Sequence, residues 1–253
     1  MSSVSDGILE FGDINFFYEK GTPFIKDMSF SIGNGEFIGL LGANGSGKST
    51  ILKLASGLLK ASAGDVNLWG KPIVSYKNKD RAKLLSYLPQ VLDINIPYTV
   101  KELVGMGLYP YDIMPELTVD DALEMVGLQE KARALITNLS GGERRRVYIA
   151  MTLLQGAGLL LLDEPLANLD IKYQIELLRL LKKLREKRGI TVVMALHEIN
   201  IALQFDRIML IKEGAVIGNG APGIIMTEES IKKAFVVDVE IKREASGEVY
   251  IKY

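Results

Sequence analysis

Gly42-Ala43-Asn44-Gly45-Ser46-Gly47-Lys48-Ser49-Thr50 fits G-x-x-x-x-G-K-[ST], the spacing by which a backbone loop grips a phosphate chain. The glycines let successive N–H groups turn inward, and a helix starting at the loop adds the positive end of its dipole. Lys48 has the length and charge to reach β- and γ-phosphates, and Ser49 has the hydroxyl to ligate Mg²⁺. The pattern needs a strand before it and a helix after it. Glu36-Phe37-Ile38-Gly39-Leu40-Leu41 is an apolar run short enough for a buried strand, and Ile51-Leu52-Lys53-Leu54-Ala55 reads as a helix start.

Further residues suit the same chemistry, because phosphoryl transfer asks for positioning and charge neutralisation more than covalent help. Asp163 and Glu164 follow four leucines, Leu159 to Leu162. Asp163 can hold Mg²⁺ directly or through water. A solvent-facing acidic strand end fits less well, since the leucines bury the strand and Pro165 follows. Gln90 comes after the short strand Leu84-Leu85-Ser86-Tyr87-Leu88 and Pro89, as a plain loop residue or as a phosphate contact. Ser140-Gly141-Gly142-Glu143 has the S-x-x-E form of a capping box, and the same helix start is an anion site. His197, the only histidine, is a structural residue or a phosphate donor through Nε2–H. Tyr18 follows Phe16 and Phe17, as core or as a stacking platform. Arg144-Arg145-Arg146 reads as a solvated helix face.

The elements that must position these residues form an α/β pattern. Residues 8–18 and Phe24 to Ile32 are β-rich, and Asn34-Gly35 predicts a hairpin turn into the loop strand. Leu68 to Pro72 closes a strand and turn, and Lys77 to Lys83 reads as a solvated helix face. From about 91 to 150 the pattern turns helical: Thr99-Val100-Lys101-Glu102 is a capping box, Thr118 opens another helix, and Gly127 is its stop. Asp170 is expected to cap a helix with apolar Ile171, Ile175, Leu178, Leu181 and Leu184, ending at Gly189. Thr191 to Leu196 is a buried strand. Arg207 to Ile211 and Ala215 to Ile217 flank Glu213-Gly214 as a hairpin, and 236–253 alternates around Ser246-Gly247 as another.

The chain has 253 residues, 48% hydrophobic and 24% charged, which is ordinary for a globular protein. Its net charge of −1 gives no bulk electrostatic case for nucleic acid or an anionic membrane. It has no cysteine, which excludes disulfides and thiolate metal sites. The segment from Met1 to Gly7 lacks the basic and apolar regions of a signal peptide, and no apolar run approaches the roughly 20 residues of a membrane span.

Six motifs in register resemble those of the ATP-binding-cassette (ABC) ATPases, over nearly the whole chain. Leu139-Ser140-Gly141-Gly142-Glu143 is similar to the family signature, with Glu in place of its usual Gln. Leu159 to Glu164 resembles Walker B with its carboxylate. Gln90 matches the Q-loop, Ala167-Asn168-Leu169-Asp170 the D-loop, and His197 the switch histidine. Tyr18 lies where the family stacks an aromatic on adenine. Leu166 stands where a threonine is common, which alters D-loop packing more than chemistry.

The resemblance implies a P-loop NTPase core with an antiparallel β subdomain and an inserted α-helical subdomain. The expected organisation is an ATPase domain over 1–235, with core 1–90 and 151–235 and the helical insert about 91–150, then a hairpin-like tail over 236–253. The cofactors implied are ATP and Mg²⁺. Glu164 orients or deprotonates the attacking water, His197, Lys48 and Gln90 act at the γ-phosphate, and Ser49, Gln90 and Asp163 hold the metal. Ser140, Gly141 and Gly142 meet the ATP of a second copy, so a homodimer sandwiches two nucleotides.

The stretches Tyr87-Leu88-Pro89-Gln90, Tyr98 to Val104, Gly107 to Tyr111, His197-Glu198-Ile199-Asn200 and Phe235 to Val239 resemble ATPases of importers for iron–siderophores, haem and cobalamin. That assembly adds two integral membrane permease subunits and, indirectly, an extracytoplasmic substrate-binding protein. It places the chain peripherally on the cytoplasmic face of the cell membrane, with no nucleic acid partner. The alternatives are a soluble ABC ATPase acting on nucleic acid or ribosomes, and an exporter ATPase. Against the first stand the near-neutral charge, a single cassette, and no heptad run between Lys48 and Ser140.

Overall fold

A computed structural model of the chain describes residues 7–19, 21–91, 96–113, 115–243 and 249–252. In chain order the elements are β1 (Gly7–Phe16), β2 (Ile25–Gly33), β3 (Phe37–Leu41), α1 (Lys48–Ala55), β4 (Ala63–Leu68), β5 (Lys71–Pro72), α2 (Asn78–Leu84) and β6 (Leu85–Leu88). Then come α3 (Val100–Gly105), α4 (Val119–Met125), α5 (Gly141–Leu154), β7 (Leu159–Asp163), α6 (Ile171–Arg188) and β8 (Thr191–Leu196). The chain closes with α7 (Ile199–Ala202), β9 (Arg207–Lys212), β10 (Ala215–Gly220), α8 (Pro222–Ile225), α9 (Glu228–Phe235), β11 (Glu240–Arg243) and β12 (Val249–Lys252). Two compact units emerge, Met1–Ile73 with Val193–Tyr253, and Val74–Val192, the cut passing through β8.

The first unit holds an antiparallel sheet in the order β2-β1-β4-β5 and strands in the order β10-β9-β3-β8. β1 alternates enough to bury Leu9, Phe11, Ile14 and Phe16, as a half-buried antiparallel strand should. All five residues of β3 are buried, and β3 runs parallel to β9. That burial corrects the hairpin expected at Asn34-Gly35. The turn exists, with Gly35 at φ 72°, but β2 and β3 enter different sheets. A strand apolar on both sides needs cover on both faces, which a hairpin with the half-exposed β2 does not give. The Glu213-Gly214 hairpin forms as expected, both residues having positive φ. β11 pairs with β12, and the Asn200 side chain brackets the Ile251 main chain at 2.9 and 2.7 Å. The Ser246-Gly247 turn lies outside the described residues.

In the second unit β6 runs parallel to β7, and β7 is buried at every position. Among the described residues after β6, the first helix begins at Val100. Capping boxes open α3 at Thr99, α4 at Thr118 and α5 at Ser140. Each cap satisfies N–H groups that a helix start leaves without an intrahelical partner. Gly127 follows α4 at φ 65°, and α6 ends at left-handed Gly189. Within α6, Leu177, Leu178 and Leu181 are buried, whereas Ile171 and Ile175 are exposed, so the buried stripe starts later than the apolar spacing implied. The helical segment expected over 91–150 lies inside this unit.

Candidate active site

In the first unit, the loop from Gly42 to Gly47 joins β3 to α1. Gly42 and Gly47 are buried while Asn44 and Gly45 are exposed. A Cβ on Gly42 would lie 2.3 Å from the Ile211 carbonyl, so only glycine permits that approach. Gly45 and Gly47 have φ of 77° and 112°, a region that favours glycine. The Lys48 ammonium is buried and donates to the Gly42 and Ala43 carbonyls at 2.8 and 3.0 Å. It thereby spans the loop that it follows. Gly214, in the β9–β10 turn, donates its N–H to the Ser46 carbonyl at 2.8 Å. The Ser46 hydroxyl is buried and has no hydrogen-bond partner among the described residues. A buried hydroxyl in that state is costly unless a ligand serves it. A cradle with no room for a side chain at Gly42, a buried ammonium and an orphaned hydroxyl fits a polyphosphate.

Tyr18 stands beside this loop. Its hydroxyl and the Thr50 hydroxyl are 2.8 Å apart. Its ring meets Phe16 edge-on at 4.9 Å and Phe24 at 5.5 Å. Phe16 is in the core, whereas Tyr18 is 60% exposed and so is not a core residue. Ser49 is half-buried in the first turn of α1, and His197 is exposed directly after β8.

In the second unit Asp163 closes β7 and is 1% exposed. The Tyr87 hydroxyl donates to its Oδ2 at 3.3 Å. Glu164 follows at φ 47°, a sparsely populated conformation for a non-glycine residue. Gln90 donates from Nε2 to Glu164 Oε2 at 2.9 Å, so the structure joins two of the candidate residues directly. A cleft of about 250 Å³ near them is lined by Gln90, Gly141, Arg145 and Asn168 among others.

Arg144 to Arg146 do not form a solvated face. Arg145 and Arg146 are 7% and 8% exposed. Arg145 donates to the backbone carbonyls of Pro89, Gln90, Asp163, Glu164 and Pro165. Arg146 donates to the Val126 and Gly127 carbonyls and stacks over Tyr173 at 3.8 Å. Arg144 donates to the Leu139 and Thr137 carbonyls. Burial lowers the Arg145 pKa, opposed by the charges of Asp163 and Glu164. The sequence did carry a signal. Val147 to Leu154 has almost no polar face, and a helix apolar all round is buried together with its neighbours.

At the start of α5, Ser140 Oγ accepts from the Glu143 N–H at 3.3 Å and donates to Glu143 Oε2 at 3.0 Å. The Ser140 N–H donates to the same oxygen. Glu143 also pairs with Lys131, a partner that local spacing did not reveal. The Lys131 ammonium first, then the Ser140 N–H, hold the Glu143 carboxyl down at about 2. Gly141 has open space around it, whereas a Cβ on Gly142 would lie 3.0 Å from the Asn168 carbonyl. Gly142 thus packs closely against the main chain at Asn168.

The ABC transporter family matches residues 25–167. The chain is 42% identical to a petrobactin import ATP-binding protein of Bacillus anthracis, over 89% of this chain and 86% of the relative. It is 35% identical to a hemin import ATP-binding protein of Rhodopseudomonas palustris (strain HaA2), over 93% of each. Its fold matches a dimeric ATP-binding cassette solved in a post-hydrolysis state with ADP and Pi, with a TM-score of 0.76, 28% identity, and 84% and 98% of the two chains covered. Among the described residues no helix is long and apolar enough to cross a membrane.

Proposed function

This chain belongs to the ABC transporter family, and we propose that it is the ATP-hydrolysing subunit of an importer whose cargo is an iron–siderophore or haem-type metal chelate. It is an ATPase of the class that couples hydrolysis to transport. The observation that carries the importer reading is the 42% identity to a petrobactin import subunit across 89% of the chain.

The roles follow from the chemistry. The N–H groups from Gly42 to Thr50 and the Lys48 ammonium bind the triphosphate, and Tyr18 stacks on the adenine. Ser49 and Asp163 hold Mg²⁺, with Gln90 as a further ligand. When bound, Mg²⁺ neutralises charge on the phosphate oxygens. Glu164 accepts the proton of the attacking water at a carboxylate oxygen, and His197 donates from its imidazole to the γ-phosphate. Ser140, Gly141 and Gly142 serve the nucleotide of a second copy. Two copies engage two membrane permease subunits on the cytoplasmic side, and an extracytoplasmic binding protein delivers the cargo. The ATPase domain is 1–235, with its helical insert over 91–150 and the hairpin tail after 235.

The test is a co-purification from native membranes. Tagged Glu164→Gln, solubilised gently with ATP present, should bring down a polytopic membrane protein. Recovery of soluble proteins or ribosomes alone from intact membranes would reject the importer.

A further inference from the structure

A guanidinium has five N–H donors in a fixed planar fork. In Arg145 each of them finds a main-chain carbonyl: Pro165 from Nε, Pro89 and Gln90 from Nη1, Asp163 and Glu164 from Nη2. The four terminal contacts lie between 2.7 and 3.1 Å, and the Nε contact at 3.4 Å. With its donors engaged and only 7% of its surface exposed, Arg145 is built to hold the protein's own backbone rather than a ligand.

The carbonyls come from two segments that carry the hydrolytic residues, and Arg145 rides on the helix that Ser140 caps. We propose that Arg145 is a positioning residue for ATP hydrolysis, fixing Glu164 and Gln90 against each other and tying both to the signature helix. Two features need such a clamp. Glu164 sits at φ 47°, which persists only where the surroundings over-determine it. The Gln90–Glu164 hydrogen bond at 2.9 Å joins two chain segments far apart in sequence, so its length depends on what locks their backbones together. A lysine cannot replace the fork, because its ammonium is a compact point with three donors. Displacing Glu164 by an ångström from the water it activates costs about 100-fold in rate.

The inference rests on the proposed roles of Glu164 and Gln90, and a double-mutant cycle separates the two. ATP affinity and steady-state kcat are measured on the full chain for wild type, Arg145→Lys, Glu164→Gln and the double variant, well below their melting temperatures. Arg145→Lys should lower kcat by about 10- to 100-fold while ATP affinity stays within about twofold, since the nucleotide loop is untouched. In the Glu164→Gln background the same change should have almost no further effect on kcat, because residues acting as one unit are not additive. Additive losses would overturn the clamp and leave Glu164 its role. An unchanged kcat for Glu164→Gln would overturn both readings.

Amide exchange guards against a folding artefact. Arg145→Lys should speed exchange in residues 86–91 and 163–166 together, leaving β1 and β2 protected. Uniform acceleration across the chain would mark Arg145 as a merely structural residue and overturn the proposal.

Discussion

Glu143 shows how a single carboxylate can be absorbed into a helix start. An amide is usual at this signature position, and a charge there must be accommodated. Lys131 and the Ser140 N–H do so, and the negative end also suits the α5 dipole. Its pKa falls from the ordinary carboxylate value of 4.5 to about 2, so the folded chain releases the proton more readily than the unfolded one. The stabilisation is therefore complete above the unfolded value and disappears as pH falls from about 4.5 towards 2. Glu143→Gln should lose this component: melting curves for variant and wild type should converge across that window. A wild-type advantage undiminished at pH 2 would show that the carboxylate's charge is not what matters. The S-x-x-E spacing made the Ser140–Glu143 reciprocity legible, because capping is local. Lys131 was not legible, because nothing in the intervening residues fixes where its ammonium ends.

At the scale of elements, the nucleotide loop depends on a turn that sequence spacing marked only as a hairpin. Gly214 has φ 74°, and a Cβ there would fall 1.7 Å from the Phe24 carbonyl. Its N–H holds the Ser46 carbonyl at 2.8 Å, so the turn buttresses the loop. Gly214→Ala must move backbone, and it should cost about 2–3 kcal/mol or more of stability and weaken ATP binding with it. Gly45→Ala faces no atom within 4 Å and meets only the left-handed penalty of about 1–2 kcal/mol. Urea unfolding and nucleotide titration of both variants check the order; equal losses would mean that steric contact with Phe24 is unimportant.

The same distinction explains what was legible in the chain. Strands such as β7, with four leucines before Asp163, and helices opened by capping residues follow from local pattern, as does the G-x-x-x-x-G-K-[ST] loop. The fate of Asn34-Gly35 does not, since a turn residue fixes chain reversal but not which sheet receives the next strand. Arg145 was misread for a related reason: charge predicts solvent exposure only where burial is not imposed by neighbouring apolar residues, and Val147 to Leu154 impose it.

At the scale of the whole molecule, the candidate residues point to more than one copy. On the proposed reading Ser140 and Gly141, the latter open to its surroundings, meet the nucleotide of a second copy. If ATP bridges two copies, dimerisation must depend on ATP by linkage, because ligand that binds only the dimer shifts the equilibrium towards it. Wild type should form that dimer transiently, since hydrolysis removes the bridge. Glu164→Gln should bind ATP, lack the water-activating carboxylate, and hold the dimer. Size-exclusion chromatography with Mg-ATP should move the variant from the position of a 27.9 kDa chain to that of twice the mass, with the larger species growing as protein concentration rises. ADP should leave it at the smaller position. A variant that stays monomeric at saturating Mg-ATP would refute the sandwich, and Ser140 would then return to the role its hydrogen bonds already show, the cap of α5.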